Sequence, residues 1–475
     1  MSSLVGIIGA GPAGLAAAYS LAKLGVSVEV FEAGPAVGGM ARTIDLWGQK
    51  VDLGPHRFFS SNDRVNRLWL EAVGRDYRMV DRTSRIYYDG EFFEYPLQLV
   101  DSLAKMGTVE SFLCVLSYLR QQFRRSGAAE DSETWLQRRF GRRLYENLFR
   151  TYSEKVWGIP CSRLDAEFAT QRIRGFSLSE AVSKALLSRR DSQHPTLVER
   201  FAYPLGGAGS PYVAMAEEVR ARAGSVHLRS PVTRVSPRED GLLELELASG
   251  RHHVFPNIVS SMPLTHLVKA LPEAPSRARD AASALRFRNT ILVYLRIAAQ
   301  DLFPDQWLYI HESELEVGRI TNYRNWVPEL HGESTDTILS LEIWCDPGDA
   351  RWREADDRLV DLATRDLRET GLIDGAEVIG GHVIRVPYCY PVYELGYRDN
   401  LTILKGCLAA IPGLQAIGRY GAFKYNNQDH CLLMGMLAAE NIALARTHDL
   451  WEVNTETVYQ EATTIGETGL VPKPA

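Results

Sequence analysis

The first thirty residues switch between two hydrophobic patterns. Residues 4–9 (LVGIIG) are continuously apolar, as in a buried strand of a parallel sheet. The run LAAAYSLAKLG that follows has helical spacing and good helix formers, and Gly25 stops it. Residues 27–31 (SVEVF) predict a second strand, which ends at Glu32. The pattern therefore predicts strand, turn, helix and strand, the unit from which parallel α/β sheets are built.

The turn before the helix is rich in glycine and reads GAGPAG at positions 9–14. Gly9 allows the tight turn, Gly11 lets a pyrophosphate approach the backbone, and Gly14 lets the helix pack closely on the strand. The helix N-terminus offers N–H groups and the positive end of its dipole to phosphates. Glu32 can accept hydrogen bonds from both ribose hydroxyls. This context predicts a dinucleotide site.

Strand and helix patterns alternate through the rest of the chain. Residues 84–96 (SRIYYDGEFFEYP) predict a hairpin that turns at Asp89-Gly90. Residues 99–200 are mostly helical, and residues 286–346 carry strands such as TILVYLRI and ILSLEIW. Leu99 to Phe123 is the nearest candidate for a membrane-surface helix, but its four charged residues favour an amphipathic helix of a globular domain.

Composition excludes several classes of protein. Apolar residues are 45% and charged residues 24% of the 475, which is ordinary for globular proteins. The 53 Lys and Arg against 59 Asp and Glu give a net charge of −6, so no nucleic-acid partner is expected. The six cysteines form no CxxC or Cys/His cluster, which predicts no metal site and favours a reduced, cytoplasmic location. No apolar run approaches about 18 residues, so we expect no transmembrane helix.

The segment after Glu32, AGPAVGGMART, resembles the second glycine pair of the FAD-binding amine oxidase superfamily. That superfamily includes protoporphyrinogen oxidases, phytoene desaturases and UDP-galactopyranose mutases. The resemblance implies FAD as the cofactor, with Gly38 and Gly39 against its phosphates. Arg42 would supply charge beside the pyrophosphate or the flavin.

Three later segments, 226–247, 254–263 and 415–442, resemble the segments through which the chain re-enters the FAD-binding domain in this family. The resemblance implies an α/β fold with a Rossmann-like FAD-binding domain at 1–75, 205–268 and 410–450. A mixed-sheet substrate domain at 76–100 and 269–409 and a helical subdomain at 101–204 would interleave with it. Val232 would contact adenine through its backbone, and the last helix would point its N-terminus at the flavin and stabilise the reduced ring.

Four stretches resemble UDP-galactopyranose mutases in order and spacing. They are GPHRFFSSN at 54–62, DGEFFEYPLQ at 89–98, FRTYSEKVWG at 149–158, and YPVYE at 390–394 with GRYGAFKYNNQDH at 418–430. The segments HRFFS, SRIYYDGEFFEYP and YSEKVWGIPC resemble still more closely those of a bacterial flavoprotein group labelled protoporphyrinogen-oxidase-like or mutase-like. The mutase segment YTGpID has no counterpart here, and PDQWLYIHE stands in that region.

The resemblance also implies roles for individual residues. His56 would lie beside the flavin, where it could gain a proton next to an anionic ring, and Tyr152, Trp157 and Tyr390 would lie at the substrate cleft. Mutases clamp the substrate diphosphate with two arginines. Arg172 in QRI matches the first, although Phe176 stands at the next arginine of that motif unless Arg174 replaces it; Arg319 or Arg324 in GRITNYRNW matches the second. The residues expected at FAD are Gly9, Gly11, Pro12, Ala13, Gly14, Glu32, Ala33, Gly38, Gly39, Met40, Ala41, Arg42, Gly54, Pro55, His56, Val232, Gly418, Arg419, Asn427, Gln428 and Asp429.

Two functions remain open on these residues. The first is a mutase-like isomerase that interconverts the pyranose and furanose forms of a nucleotide-diphosphate sugar, through an adduct between reduced flavin and sugar. The second is an FAD-dependent oxidoreductase of the amine oxidase or desaturase type, which oxidises a C–N or C–C bond. A mutase would need an external reductant, NAD(P)H or a reductase, yet no nicotinamide nucleotide is expected in the turn at 9–14 that FAD would fill. A homodimer is compatible with both.

Overall fold

The computed structural model describes residues 4–95, 102–103, 105–122, 129–172, 200–454, 463–466 and 469–472. The strands are β1 Leu4–Ile8, β2 Ser27–Phe31, β3 Thr43–Leu46, β4 Gln49–Asp52, β5 Tyr77–Asp81, β6 Ser84–Tyr88, β7 Glu91–Glu94, β8 Arg200–Pro204, β9 Ser225–His227, β10 Val232–Pro237, β11 Leu243–Leu247, β12 His252–Phe255, β13 Asn257–Ser260, β14 Phe287–Ile297, β15 Trp307–Ile310, β16 Arg319–Asn322, β17 Thr337–Cys345, β18 Val378–Pro391, β19 Leu414–Ala416, β20 Thr463–Gly466 and β21 Gly469–Pro472.

The main helices alternate with these strands. They are α1 Pro12–Lys23, α2 Asp63–Val73, α3 Thr108–Gln122, α4 Ser132–Phe140, α5 Thr151–Trp157, α6 Ala166–Arg172, α7 Ser210–Ala221, α8 Leu264–Ala270, α9 Ser276–Ala284, α10 Asp356–Glu369, α11 Tyr397–Ala409 and α12 Gln428–Ala443. A π-helical turn, Tyr145–Arg150, leads into α5. In the described part of the chain, no helix is both long enough and apolar enough to cross a membrane.

A five-stranded parallel sheet has the order β19-β13-β1-β2-β9. The central strand β1 pairs with β2 (Val5 opposite Val28) and with β13 (Val5 opposite Asn257). Strands from three distant parts of the chain therefore lie side by side, and the segments predicted to return to this sheet supply β9, β13 and β19. The prediction of an α/β fold with a parallel sheet is confirmed, whereas the domain boundaries remain a prediction.

Helices α1 and α12 pack against each other on the parallel sheet. A Cβ placed on Gly435 would lie 2.5 Å from the carbonyl oxygen of Ala13 and 2.7 Å from the nitrogen of Ala17, so only glycine allows this approach. Leu15, Ala16, Leu432 and Met434 are buried at the contact. The close packing brings the N-terminus of α12 to the same edge of the sheet as the N-terminus of α1.

A second, seven-stranded sheet is mixed and has the order β18-β14-β17-β16-β15-β6-β7. Neighbouring strands of this sheet are antiparallel, except β15 and β6, which are parallel. Every residue of β17 is buried, because α10 covers one face and residues of β4 and β8 pack on the other. Arg319 on β16 lies directly opposite Glu342 on β17.

The helical region between β7 and β8 packs on the end of the mixed sheet. Phe140, Leu144 and Leu148 share a core with Ile86 and Phe93 of the β6–β7 hairpin. The described part of the amphipathic helix predicted from Leu99 to Phe123 is α3, and residues 99–101, 104 and 123 lie outside the described residues. Helix α3 packs on the domain through Cys114, which shares the core of Phe140 and Leu144, whereas Val109, Phe112, Leu116 and Leu119 are exposed.

Candidate active site

The turn between β1 and α1 forms a cradle of backbone atoms. The nitrogen of Gly38 donates to the carbonyl of Ala10 at 2.8 Å, which brings the second glycine pair beside the first. A Cβ on Gly14 would lie 1.9 Å from the carbonyl oxygen of Gly9, so only glycine fits there. A Cβ on Gly11 would instead meet only the Cα of Gly39, at 3.7 Å, among the described residues. The space in front of Gly11 is therefore open to a ligand.

Glu32 fastens this cradle at the carboxyl end of β2. Its Oε2 accepts a hydrogen bond from the nitrogen of Ala10 and its Oε1 accepts one from the nitrogen of Gly34, both at 2.7 Å. Each carboxylate oxygen accepts more than one hydrogen bond, so capacity remains for ribose hydroxyls. The carboxyl edge of an open parallel sheet is where ligands bind in such folds.

One buried polar atom near the cradle, Nε of Arg42, has no hydrogen-bond partner among the described residues, and Oδ1 of the buried Asp429 lies 3.3 Å from Nδ1 of His430. Arg42 directly follows the helical turn Gly39–Ala41, and Asp429 lies in the first turn of α12. Burial raises the pKa of Asp429 above its ordinary value. An unpaired buried group costs about 1–3 kcal/mol, so Nε of Arg42 points to a ligand that pairs with it.

The residues before α12 tie its N-terminus to the cradle. Gly418 has a φ of +82°, and a Cβ there would lie 2.8 Å from the Cβ of Ala13. Gln428 accepts a hydrogen bond from the hydroxyl of Tyr212 at 2.5 Å and donates one to the carbonyl of Arg57 at 3.2 Å. The first turn of α12 thus contacts both α7 and the loop that contains His56.

The loop Gly54-Pro55-His56 follows β4 and lies against the mixed sheet. Gly54 has a φ of +98°, and a Cβ there would lie 3.3 Å from Oε1 of Glu342. Nδ1 of His56 is 3.0 Å from the carbonyl oxygen of Gly54. Burial, together with the positive charges of Arg319 and Arg419, lowers the pKa of His56 to about 4. With these protein groups around it, the imidazole is neutral at neutral pH, and its gain of a proton beside an anionic flavin stays a prediction.

Arg319 and Glu342 form a cross-strand ion pair beside this loop. Nε of Arg319 donates to Oε1 of Glu342 at 2.7 Å and Nη2 donates to Oε2 at 2.6 Å. Nη2 also donates to the hydroxyl of Tyr390 at 3.3 Å. The side chain of Glu342 is 2% exposed and that of Arg319 is 17% exposed. Glu342 therefore fixes the guanidinium beside the hydroxyl of Tyr390.

Arg419 is held by carbonyl groups and aromatic rings. It donates to the carbonyl oxygens of Cys389 at 2.8 Å and Asn426 at 3.1 Å. Its Cζ is 4.0 Å from the ring centre of Tyr425 and 4.9 Å from that of Tyr390. In the described part of the chain no carboxylate pairs with Arg419, so its charge is balanced only by dipoles and ring faces.

Helix α5 supplies an aromatic wall to the same cleft. The ring of Tyr152 stacks on His311 with centres 4.6 Å apart and meets Trp344 edge-on at 5.7 Å. Trp157, one turn further on, lies 6.0 Å from both Tyr390 and Tyr425. The structure therefore brings together Tyr152, Trp157, Tyr390, Arg319, Arg419 and His56.

Lys155 fixes α5 against the loop after β15. Its Nζ donates to the carbonyl oxygens of Glu312 and Leu315, both at 2.7 Å, and more weakly to those of Val317 at 3.3 Å and Ile310 at 3.4 Å. Burial lowers the pKa of Lys155 to about 8. The ammonium group thereby orients the helix that carries both aromatic side chains.

The structure separates Arg324 from Arg319. Arg324 lies in the turn after β16 and donates to the carbonyl oxygens of Ser334 and Asp336, at 2.9 and 3.1 Å. It holds that loop instead of joining Tyr390 and His56, because the chain turns between the two arginines. Arg172 ends α6, but its side chain lies outside the described residues, as do Arg174 and Phe176.

Sequence reasoning missed several residues of the cleft. Glu342, Trp344, Tyr425 and His311 were not expected there. A single acidic residue in the apolar strand ILSLEIW was the one visible signal, since a lone buried carboxylate requires a partner. The aromatic residues carried no such signal, because aromatic side chains are common in any core.

Comparison with known proteins identifies the class defined by this fold and cleft. Residues 12–401 match the family described as flavin containing amine oxidoreductase. The chain belongs to this family, and its cofactor is FAD. It is also 36% identical over 108 residues to a 1-hydroxycarotenoid 3,4-desaturase of Flavobacterium sp. (strain P99-3), an alignment that spans 22% of each chain.

Solved structures share the fold over nearly the whole chain. A reduced UDP-galactopyranose mutase has a TM-score of 0.82 and 21% identity, covering 97% of this chain and 98% of its own. A protein from Exiguobacterium sp. 255-15 described as a protoporphyrinogen oxidase has a TM-score of 0.72 and 21% identity, covering 94% and 100%. A redesigned putrescine oxidase has a TM-score of 0.64 and 18% identity, covering 94% and 100%. At these identities the likeness describes the fold.

The residues present fit FAD. The open space at Gly11 suits a pyrophosphate, and Glu32 stands at the expected ribose position. The unpaired Nε of Arg42 and the buried carboxylate of Asp429 lie on the two segments that approach this space. The protein is therefore a flavoenzyme of the amine oxidase superfamily.

Proposed function

We propose that this flavoenzyme acts on a nucleotide-diphosphate sugar and interconverts the pyranose and furanose forms of that sugar. The observation that supports this proposal is the charge balance of the cleft. Two guanidiniums contact Tyr390, those of Arg319 and Arg419, and Glu342 is the carboxylate that pairs with Arg319. His56 adds no charge, because it is neutral. A surplus positive charge in a partly buried, aromatic site favours an anionic ligand, and a diphosphate is one.

Cofactor binding is assigned, as part of this proposal, to the cradle and to α12. The pyrophosphate would meet the backbone of Gly11, Pro12, Ala13 and Gly39, and Val232 would meet adenine through its backbone. The first turn of α12 would face the flavin, since its N-terminus is directed to that edge of the parallel sheet. When bound, FAD supplies a ring that is nucleophilic in its reduced form and accepts electrons in its oxidised form.

The substrate would be bound by the protein's own side chains. Tyr152 and Trp157 would bracket the substrate with apolar faces and exclude water. Arg319, oriented by Glu342, would donate to the diphosphate, and Arg172 would supply the second cation. Neutral His56, whose Nδ1–H donates to the carbonyl of Gly54, can accept one hydrogen bond at Nε2 without changing the charge of the cleft.

The alternative is oxidation of a C–N or C–C bond. Two comparisons favour it: the family itself is one of amine oxidoreductases, and the stretch shared with a carotenoid desaturase is 36% identical. In that case the aromatic cleft would hold an apolar or amine substrate, which needs no diphosphate clamp.

Turnover in two redox states distinguishes the alternatives. Holoenzyme is incubated anaerobically with UDP-sugars in furanose and pyranose form, either oxidised or reduced with dithionite, and the ring forms are separated by chromatography. The proposal expects conversion only after reduction. No conversion in either state, together with bleaching of the oxidised flavin by an amine or a desaturable substrate, would establish the alternative.

A pair of arginine variants tests the clamp in the same assay. Arg319→Gln should lower kcat/KM by about tenfold to a hundredfold, because a charge-assisted hydrogen bond is worth about 1.5–3 kcal/mol. Arg324→Gln is the matched control, since its guanidinium is occupied by the 334–336 loop, and it should retain nearly the wild-type value. Equal effects of the two variants would contradict the assignment of Arg319.

A further inference from the structure

Helix α3 turns an apolar stripe away from the protein. Val109, Phe112, Leu116 and Leu119 are 73%, 67%, 51% and 49% exposed. Their spacings of three, four and three residues place them on one face over three turns. Contiguous exposed apolar surface of this kind marks a site of interaction. We refer to these four residues as the α3 stripe.

Polar contacts on the opposite face fix this orientation. Glu110 accepts hydrogen bonds from Nε and Nη2 of Arg143, at 2.5 and 2.7 Å, and from Asn147 at 2.8 Å. Ser117 accepts one from the backbone nitrogen of Arg143 at 3.2 Å, and Cys114 is buried between them. Rotating α3 to hide its stripe would break these contacts, so the apolar face stays outward.

The charge around α3 indicates what covers the stripe. Residues 105–122 contain two cations, Lys105 and Arg120, and both are exposed on or beside α3. The one carboxylate of this segment, Glu110, is bound by Arg143 on the opposite face. A second copy of the chain would bring this positive region against itself, which costs energy. An anionic lipid surface complements both the charge and the apolar stripe.

We propose that α3 docks the protein onto an anionic lipid surface, with Phe112 and its neighbours inserted at the head-group boundary. The attachment is peripheral: α3 lies in the plane of the interface, and the exposed cations contact lipid phosphates. This inference rests on α3 alone and holds for either function of the flavin cleft.

Vesicle flotation of the FAD-bound protein tests the proposal. Vesicles of phosphatidylcholine alone are compared with vesicles containing a third phosphatidylglycerol, at low and high salt. We expect binding to the anionic vesicles that weakens at high salt, and little binding to the neutral ones. The double variant Phe112→Ser/Leu116→Ser should lose at least about tenfold in partitioning, because it removes most of the insertable apolar surface.

The matched control is the double variant Ile379→Ser/Leu444→Ser, which changes two exposed apolar residues outside α3. It should bind as the wild type does. Flavin content and melting temperature show that all variants are folded. Unchanged binding by the stripe variant, or no binding of the wild type to anionic vesicles, overturns the proposal. If light scattering instead shows a wild-type dimer that the stripe variant converts to a monomer, the stripe joins two copies and the lipid proposal is wrong.

Discussion

At the scale of single residues, the chemistry of the cleft depends on partners that are distant in the chain. Arg319 is positioned by Glu342, 23 residues later, and its hydrogen bond to Tyr390 spans 71 residues. His56 is neutral because burial and the charges of Arg319 and Arg419 all disfavour the imidazolium. The residue types were visible in the sequence, whereas the protonation state and charge balance were not.

The neutrality of His56 predicts a pH dependence of stability. The folded state has a pKa of about 4 for this group, below the ordinary value of 6.5. Between these values the unfolded chain binds a proton that the folded protein does not, so the free energy of unfolding falls as pH drops from 6.5 to 4. The expected loss at pH 4 is roughly 3 kcal/mol.

Urea unfolding of the oxidised holoenzyme at a series of pH values measures this loss. His56→Gln should lack the component of the slope between pH 6.5 and 4, and its profile should run parallel to that of the wild type above pH 6.5. His252→Gln, which changes a half-exposed imidazole on β12, is the control. Identical slopes for wild type and His56→Gln would mean that the imidazole is already protonated in the folded protein.

At the scale of elements, α5 positions two side chains of the cleft from one seven-residue helix. A helix this short is not stable alone, so tertiary contacts must hold it. The four carbonyl contacts of Lys155 supply much of that restraint, because they join α5 to the loop of residues 310–317. Packing of Trp157 against Phe168 of α6, with ring centres 4.4 Å apart, supplies another part.

Lys155→Met should therefore destabilise the protein by about 2–4 kcal/mol, because it leaves buried carbonyl oxygens without a donor. It should also lower substrate affinity by displacing Tyr152. Chemical denaturation and a substrate titration measure the two effects. Lys105→Met is the control, since Lys105 is exposed and donates to the carbonyl of Phe92 at the surface. A similar loss of stability in both variants would show that the four carbonyl contacts of Lys155 add nothing to the free energy of unfolding.

At the scale of the whole molecule, the parallel sheet is assembled from three separated parts of the chain. The cradle belongs to residues 9–42, yet its far side is closed by Gly418 and by α12. The mixed sheet and the helical region then cover the cleft from residues that lie between these parts. Cofactor binding and the substrate cleft thus depend on correct assembly of the entire chain.

Gly11→Val tests the cradle without disturbing this assembly. Among the described residues, a Cβ at this position meets only the Cα of Gly39, at 3.7 Å, and the valine side chain would occupy the space assigned to the pyrophosphate. We expect a folded, largely colourless apoprotein, seen as a low flavin-to-protein absorbance ratio with an unchanged circular dichroism spectrum. Gly406→Val, at an open position of α11, should keep its FAD. Full FAD occupancy in Gly11→Val would refute the placement.

The sequence by itself determined the local units: the strand, glycine turn and helix at 4–25, the hairpin at 84–94, the α/β class, and FAD as cofactor. The strands, turn, helix and hairpin follow from short-range physics, since hydrophobic period and glycine conformation act over a few residues. FAD as cofactor was instead implied by the resemblance of residues 33–43 to a known family. Only the tertiary structure decided which arginine faces the cleft, that Glu342 pairs with it, and that α3 exposes its apolar side. Those outcomes depend on strand register and on packing between segments up to hundreds of residues apart, where a shift of one residue reverses the face that a side chain occupies.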